Sequence, residues 1–184
     1  MGDGAHIERR VIIIASPRRN GVSHAYARRL ESFYRTAGYT VEVFDISTHI
    51  IAGCNGCAAC EKSHTCVIND DMSEVYELLA CVDGVDVVSP VYFAGPPSQY
   101  KALLDRLQPR YEARLGVYGK KDVDEVKRPV YLHVIGTGND PHGFEPLVVV
   151  TRSAFGASGF YLAEVIDARS WHAGEMLPSM NERE

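Results

Sequence analysis

No apolar stretch in this 184-residue sequence approaches the roughly 18 residues that a bilayer-crossing helix needs, and the run that starts at Val11 ends after five. Lys/Arg tracts are missing too. Acidic residues outnumber basic ones, 24 to 19, for a formal net charge of −5, which argues against a chain built to hold a nucleic-acid backbone. The first residues, Met1-Gly2-Asp3-Gly4-Ala5-His6, lack the apolar segment of a secretory signal. His6 stands where a myristoylation motif needs Ser or Thr. The expectation is therefore a cytoplasmic protein with neither membrane nor nucleic acid as partner. A dinucleotide fingerprint G-x-G-x-x-G and a Walker loop ending G-K-[ST] are both absent. The apolar share, 46%, is too high for a disordered chain, and the length suits one domain spanning 1–184.

What is present alternates. Five β-branched segments, Val11–Ala15, Thr40–Phe44, Val85–Ser89, Val130–Ile135 and Phe160–Ile166, read mostly as continuous apolar runs, as strands covered on both faces do. Helical periodicity fills the gaps. Val22, Tyr26, Leu30, Phe33 and Ala37 form one stripe, closed by Gly38. Asp71-Met72-Ser73-Glu74 has capping-box spacing ahead of Met72, Val75, Tyr76, Leu79 and Val82. Ser98 is placed to cap Tyr100, Leu103, Leu104 and Leu107. Phe144, Leu147, Val148, Thr151 and Phe155 form the last stripe, although Val148-Val149-Val150 also suits a strand. This order predicts an α/β fold, a doubly wound five-stranded parallel sheet in the order 2-1-3-4-5, with its ligand crevice beyond the strand C-termini. Two stretches fit poorly: the charged excursion Pro109–Arg128, with Tyr111, Tyr118 and Lys120-Lys121-Asp122, the last read as a solvated face, and the polar tail 167–184, with the one Trp, Trp171.

Three loops converge on that crevice. Ser16-Pro17-Arg18-Arg19-Asn20-Gly21-Val22-Ser23 offers hydroxyls, a glycine, helix N-terminal amides and a guanidinium, a cradle suited to one terminal phosphate; a plain capped turn is the alternative. Pro90-Val91-Tyr92-Phe93, followed by Ala94-Gly95-Pro96-Pro97, presents aromatics that a planar ring would cover, unless they pack beneath a neighbouring loop. Gly136-Thr137-Gly138, with Asn139-Asp140-Pro141-His142-Gly143, allows close backbone approach or is simply a turn.

The first two of these motifs, together with Gln99-Tyr100-Lys101-Ala102-Leu103-Leu104-Asp105-Arg106, resemble the NAD(P)H-dependent FMN reductase family over roughly residues 10 to 165, and the third loop matches it only in glycine content. The resemblance implies a flavodoxin-like fold and non-covalent FMN. Ser16, Arg18, Asn20, Gly21, Val22 and Ser23 would serve phosphate and ribityl; Pro90, Val91, Tyr92, Phe93, Gly136, Thr137 and Gly138 would serve the ring. Val22 stands where many members have Asn, leaving only a backbone donor there. The resemblance further implies NAD(P)H as electron donor and a small molecule or redox protein as partner. A homodimer or homotetramer follows from it, with the Pro109–Arg128 excursion and the Trp171 tail as candidate contacts. No side chain need be catalytic, since the flavin carries the chemistry.

Cys54, Cys57, Cys60 and Cys66 read C-x2-C-x2-C-x5-C, too dense for disulfides in a reducing compartment. Their first three spacings match a ferredoxin run, tetrahedral zinc is also admitted, and free thiols remain open. The pattern resembles the iron–sulfur flavoprotein branch of the family, which implies a 4Fe–4S cluster beside FMN. Cys81, on an apolar helix face, reads as a small buried hydrophobe, and His64 and His142 as loop histidines that would serve, if at all, as proton donor or ligand. Two functions compete with an iron–sulfur flavoprotein. One is a cluster-free NAD(P)H:quinone or flavin reductase; the other is a non-catalytic electron carrier with a structural Cys/Zn loop.

Overall fold

The computed structural model describes residues 7–118, 127–138 and 140–178; Lys120-Lys121-Asp122, Asn139 and the side chain of Tyr118 lie outside them. Strands β1 (Arg9–Ile14), β2 (Thr40–Asp45), β3 (Gly84–Pro90), β4 (Arg128–Ile135) and β5 (Phe160–Asp167) form one sheet in the order β2-β1-β3-β4-β5. Every neighbouring pair is parallel. The helices are α1 (Val22–Thr36), a turn α2 (Cys60–Ser63), α3 (Met72–Cys81), α4 (Ser98–Asp105), α5 (Gln108–Tyr118) and α6 (Glu145–Ala157). This is the flavodoxin-like arrangement expected from the alternation. Strand side chains alternate faces, so β1 sends Val11 and Ile13 toward α3, α4 and α6, and Ile12 and Ile14 toward α1. Each such fully buried side chain contributes about 1.5–3 kcal/mol.

Several local expectations need correction. On α1 the buried face is Ser23, His24, Tyr26, Ala27, Leu30 and Tyr34, while Val22 is about half exposed and Ala37 lies on the surface. The stripe is rotated because His24 and Tyr34 are buried by polar partners that hydrophobic periodicity does not register. Asp71 makes no cap on α3; its Oδ2 accepts from the Ile50 amide at 2.7 Å, and Asp70 Oδ1 takes the Met72 amide instead. Ser98 is the first residue of α4 rather than its cap. Cys81 is exposed, because it ends α3 on the side turned from the sheet.

The start of the Pro109–Arg128 excursion is helix α5. Beside the buried Pro109, its inward contacts include arginines: Arg114 Nη1 donates to the Gly156 and Ala157 carbonyls (3.1 and 2.9 Å), at the C-terminal end of α6 where a cation is favoured. Trp171 is 6% exposed and meets the Tyr26 ring edge-on at 5.1 Å, so the indole itself closes the α1 side of this chain's own core, while Met176 further along the tail is exposed.

Within that side lies a charged network. Asp86, fully buried in the middle of β3, receives Arg10 Nε and Nη2 at 3.2 and 2.6 Å, Tyr34 Oη at 3.1 Å and His133 Nε2 at 2.9 Å. Tyr26 Oη lies 2.9 Å from His133 Nδ1 and extends the network to α1. Burial alone would push the Asp86 carboxyl up, but the His133 hydrogen bond and the Arg10 charge hold it below the usual carboxylate range. Gly84 makes room for this: a Cβ there would fall on Arg10 Nη1 and lie 2.8 Å from Cζ.

Candidate functional site

The first, second and third loops leave one rim of the sheet, stitched there by Ala15 N to Val88 O (2.9 Å) and Val91 N to Ile135 O (3.1 Å). The rim is the switch point of the topology, where β1 has β2 on one side and β3 on the other. In the first loop, Ser16 is buried and its Oγ accepts from the Arg18 amide at 3.3 Å, which braces the turn. The left-handed position falls on Asn20 (φ 58), not on Gly21 (φ −84); Asn tolerates that conformation better than most residues. No side chain caps α1. Its first-turn amides and the positive end of its dipole therefore face the rim, and exposed Arg18 packs its stem over Gly21. Arg19 is committed elsewhere, its Nη2 donating to Ser47 O at 2.8 Å.

The second loop is a tight turn. Tyr92 and Gly95 exchange both backbone hydrogen bonds at 2.9 Å, and the two central residues, Phe93 (φ 50) and Ala94 (φ 61), are both left-handed. Such turns ordinarily carry Asn or Gly. Phe93 is nevertheless 99% exposed and Tyr92 44%, so neither packs beneath a neighbouring loop. A bulky residue in left-handed backbone with its ring in water contributes nothing to the fold's stability. That combination makes the turn a candidate surface for a planar ligand. The amides of Val91, Tyr92 and Gly95 are used within the sheet and the turn.

Gly136, Thr137 and Gly138 stand at the end of β4, and Gly138 (φ 77) needs its missing Cβ. The sequence reading missed Arg169 beside them. Its guanidinium lies 4.6 Å over the Phe144 ring, and a Cβ on Gly138 would sit 3.8 Å from its Nη1. Asp167 fixes it through Nε and Nη2 at 2.8 and 2.6 Å, and the same bonds hold the Asp167 carboxyl low. The only signal in the sequence was a lone charge just past the last strand. The uncapped helix, the exposed aromatic turn and the open glycine loop at one rim fit FMN's phosphate and ring.

The four cysteines border one hollow of about 20 Å³, walled further by Ala58, Ala59, Val67, Ile68 and Arg106. Cys54 and Cys57 are exposed, Cys60 and Cys66 half-buried. Burial pushes the Cys60 thiol up. The loop is closed at its base by a buried fork: Arg106 Nη1 and Nη2 donate to Asp70 Oδ2 and Oδ1 at 2.8 and 3.0 Å, and to Ala52 O and Ile68 O at 2.9 and 3.3 Å. Arg106 Nε is buried with no partner. Among the described residues no three His, Cys, Asp or Glu side chains stand ready to grip a metal ion. The donor set, four thiols at one hollow beside an unpartnered Arg106 donor, is nonetheless of the kind that a thiolate-bound centre takes. His64 caps α2 in left-handed backbone, and its ring sits 3.1 Å from where a Gly116 Cβ would be, docking the turn on α5. Exposed His142 gives its amide to Asp140 Oδ1 at 2.8 Å.

A family model described as NADPH-dependent FMN reductase matches residues 9–159. An iron–sulfur flavoprotein of Methanosarcina thermophila is 44% identical over 69 residues, which cover 38% of this chain and 36% of that protein. One from Archaeoglobus fulgidus is 34% identical over 108 residues, 59% of this chain and 49% of that protein. The matches thus span half or less of those curated relatives. Among solved structures, an NAD(P)H:quinone oxidoreductase from Methanothermobacter marburgensis superposes with a TM-score of 0.62 at 19% identity, covering 92% of this chain and 87% of that one. An FMN-dependent NADH-azoreductase from Bacillus anthracis, in complex with FMN, gives 0.58 at 15% identity and covers 88% and 87%. Likeness at these identities speaks for the fold alone.

Proposed function

We propose that this chain, which belongs to the NADPH-dependent FMN reductase family, binds FMN at the rim of its sheet, acts as a flavin-dependent oxidoreductase, and holds a 4Fe–4S cluster on Cys54, Cys57, Cys60 and Cys66. The observation that carries the FMN site is Phe93, fully exposed in left-handed backbone on the same rim as an uncapped helix. Bound FMN supplies both hydride and single-electron chemistry. The chain's own residues bind and orient. The α1 amides and Arg18 take the phosphate, Asn20 and Ser23 lie along the ribityl, and Tyr92 and Phe93 cover the ring. Gly136, Thr137 and Gly138 offer backbone to its other edge, with Arg169 behind them. The cluster part rests on the four thiols at one hollow and on relatives named iron–sulfur flavoproteins. NAD(P)H is the proposed donor, and a small molecule or redox protein the acceptor. In a homodimer or homotetramer, a second chain would cover Phe93.

Anaerobic purification, followed by an absorption spectrum with iron, sulfide and zinc analysis, tests this. One FMN with about four irons and four sulfides per chain is the expected result. FMN without metal would favour the cluster-free NAD(P)H:quinone or flavin reductase reading, and a colourless zinc protein would end both. No helix among the described residues is long and apolar enough to cross a membrane, so extraction without detergent is the first trial.

Phe93→Gly separates ligand role from fold. Left-handed backbone costs an L-residue about 1–2 kcal/mol, and glycine removes that cost against roughly 0.5–1 kcal/mol of added chain entropy. The apoprotein should keep or slightly gain stability in urea. FMN and riboflavin should both bind about 2- to 12-fold more weakly, from about 0.5–1.5 kcal/mol of ring contact. Unchanged affinity for both would remove Phe93 from the site.

A further inference from the structure

The cysteine loop is tied to the rest of the molecule chiefly by Arg106, which the sequence reading placed in a flavin-family signature and gave no task. Its side chain is 1% exposed. Asp70 occupies the Nη1/Nη2 end of the guanidinium, and Asp70 Oδ2 also accepts from the Ala52 amide at 2.9 Å. The carbonyls of Ala52 and Ile68, one on each side of the cysteines, take further hydrogens from the same two nitrogens. Tyr76 Oη donates to the Arg106 carbonyl at 2.5 Å and fixes the backbone that carries the side chain. One hydrogen remains. Nε is buried without an acceptor, on a residue that walls the hollow shared by all four thiols. A buried charged donor left unpaired is costly, and native structures keep such groups for a purpose. The Asp70 carboxylate and the Ala52 and Ile68 carbonyls are taken by the fork, and the hollow that Arg106 walls brings the four cysteine sulfurs together beside Asn55, Asp105 and Gln108.

Resting on the cluster reading above, we infer that Arg106 is the positioning residue of the cysteine site: its fork locks the two ends of the 53–67 loop, and its Nε–H donates to a sulfur of the thiolate-bound group. Hydrogen bonds to cluster sulfurs and nearby positive charge both favour the reduced, more negative state. The two tasks can be separated. Arg106→Lys keeps the charge but loses Nε–H and the fork. Asp70→Asn keeps Nε–H and weakens only the fork, while removing a negative charge.

Both variants should speed hydrogen exchange of the amides between Ala52 and Asp70 in the apoprotein and leave FMN content unchanged. Only Arg106→Lys should shift the cluster couple toward the oxidised form, by about tenfold in its equilibrium constant, or 59 mV for one electron, read by anaerobic redox titration. Asp70→Asn should leave the couple in place or move it the other way. An unmoved couple in Arg106→Lys, or equal shifts in both variants, overturns the inference while the cluster reading stands. A wild-type chain that takes up no iron and sulfide overturns both. Should Arg106→Lys not accumulate as folded protein, wild-type holoprotein labelled with ¹⁵N-arginine decides. Hyperfine coupling of the reduced cluster to one arginine nitrogen supports the donor, and its absence rejects it.

Discussion

Replacing Asp86 by alanine should lower unfolding free energy by about 3–5 kcal/mol, the cost of leaving a buried charge without its partner. Arg10, 3% exposed, would face that vacancy, and His133, 2% exposed, would lose the acceptor of its Nε2. The change should appear as a lower urea midpoint at an unchanged denaturant slope. The folded-state carboxyl is held low, so its contribution is complete above the ordinary carboxylate value, about 4, and fades as pH falls through the lower folded value. The gap between wild type and Asp86→Ala should therefore be widest at neutral pH and narrow below about pH 4. Removing Arg10 as well, as Arg10→Met with Asp86→Ala, should restore part of the loss, since the harm lies in a buried charge left with only the more exposed Glu8, 3.4 Å away, as its ion partner. A single variant within 1 kcal/mol of wild type would show that the network is bystander rather than staple.

That network also shows where the sequence was legible and where it was not. The strands could be read because Val85, Val87 and Val88 dominate β3; Asp86, between them, carries no periodic signal and only its partners justify it. Arg10 stands just outside the expected first strand, Val11–Ala15, whereas β1 begins at Arg9. On α1 the same blindness rotated the buried face, because His24 is 6% exposed with its Nε2 2.8 Å from Asp45 Oδ2, and Tyr34 reaches Asp86. Helix α5 was hidden for the related reason that arginines take part in its packing, Arg114 on the α6 carbonyls and Arg110 over the Phe160 ring at 5.7 Å. Apolar patterns report transfer free energy; buried ion pairs and cation–π contacts depend on partners far along the chain, and no local window contains them. At the rim, local chemistry decides. Residues 16–23 and 90–95 could be singled out as candidates because a helix start and aromatics set among prolines are local signals, whereas Arg169 could not, since its place beside Gly138 depends on the chain beyond β5.

Arg18→Ala should weaken FMN binding at least tenfold and leave riboflavin binding unchanged. A charge-assisted hydrogen bond contributes about 1.5–3 kcal/mol, and riboflavin has no phosphate to receive it. Arg18 suits that task by where it stands. It is exposed, its stem lies 3.7 Å from the position of a Gly21 Cβ, and the loop's other arginine is spent on Ser47. Removing it leaves the uncapped first turn of α1, so some preference for FMN over riboflavin should survive, and that remainder measures the helix's share. Raising salt should erode the wild-type preference more than the variant's, because a solvent-facing guanidinium is screened and backbone amides are not. Equal loss of FMN and riboflavin affinity would place Arg18 on the ring side and move the phosphate elsewhere. Fluorescence quenching titrations of both flavins, at two salt concentrations, separate these outcomes without any assay of turnover.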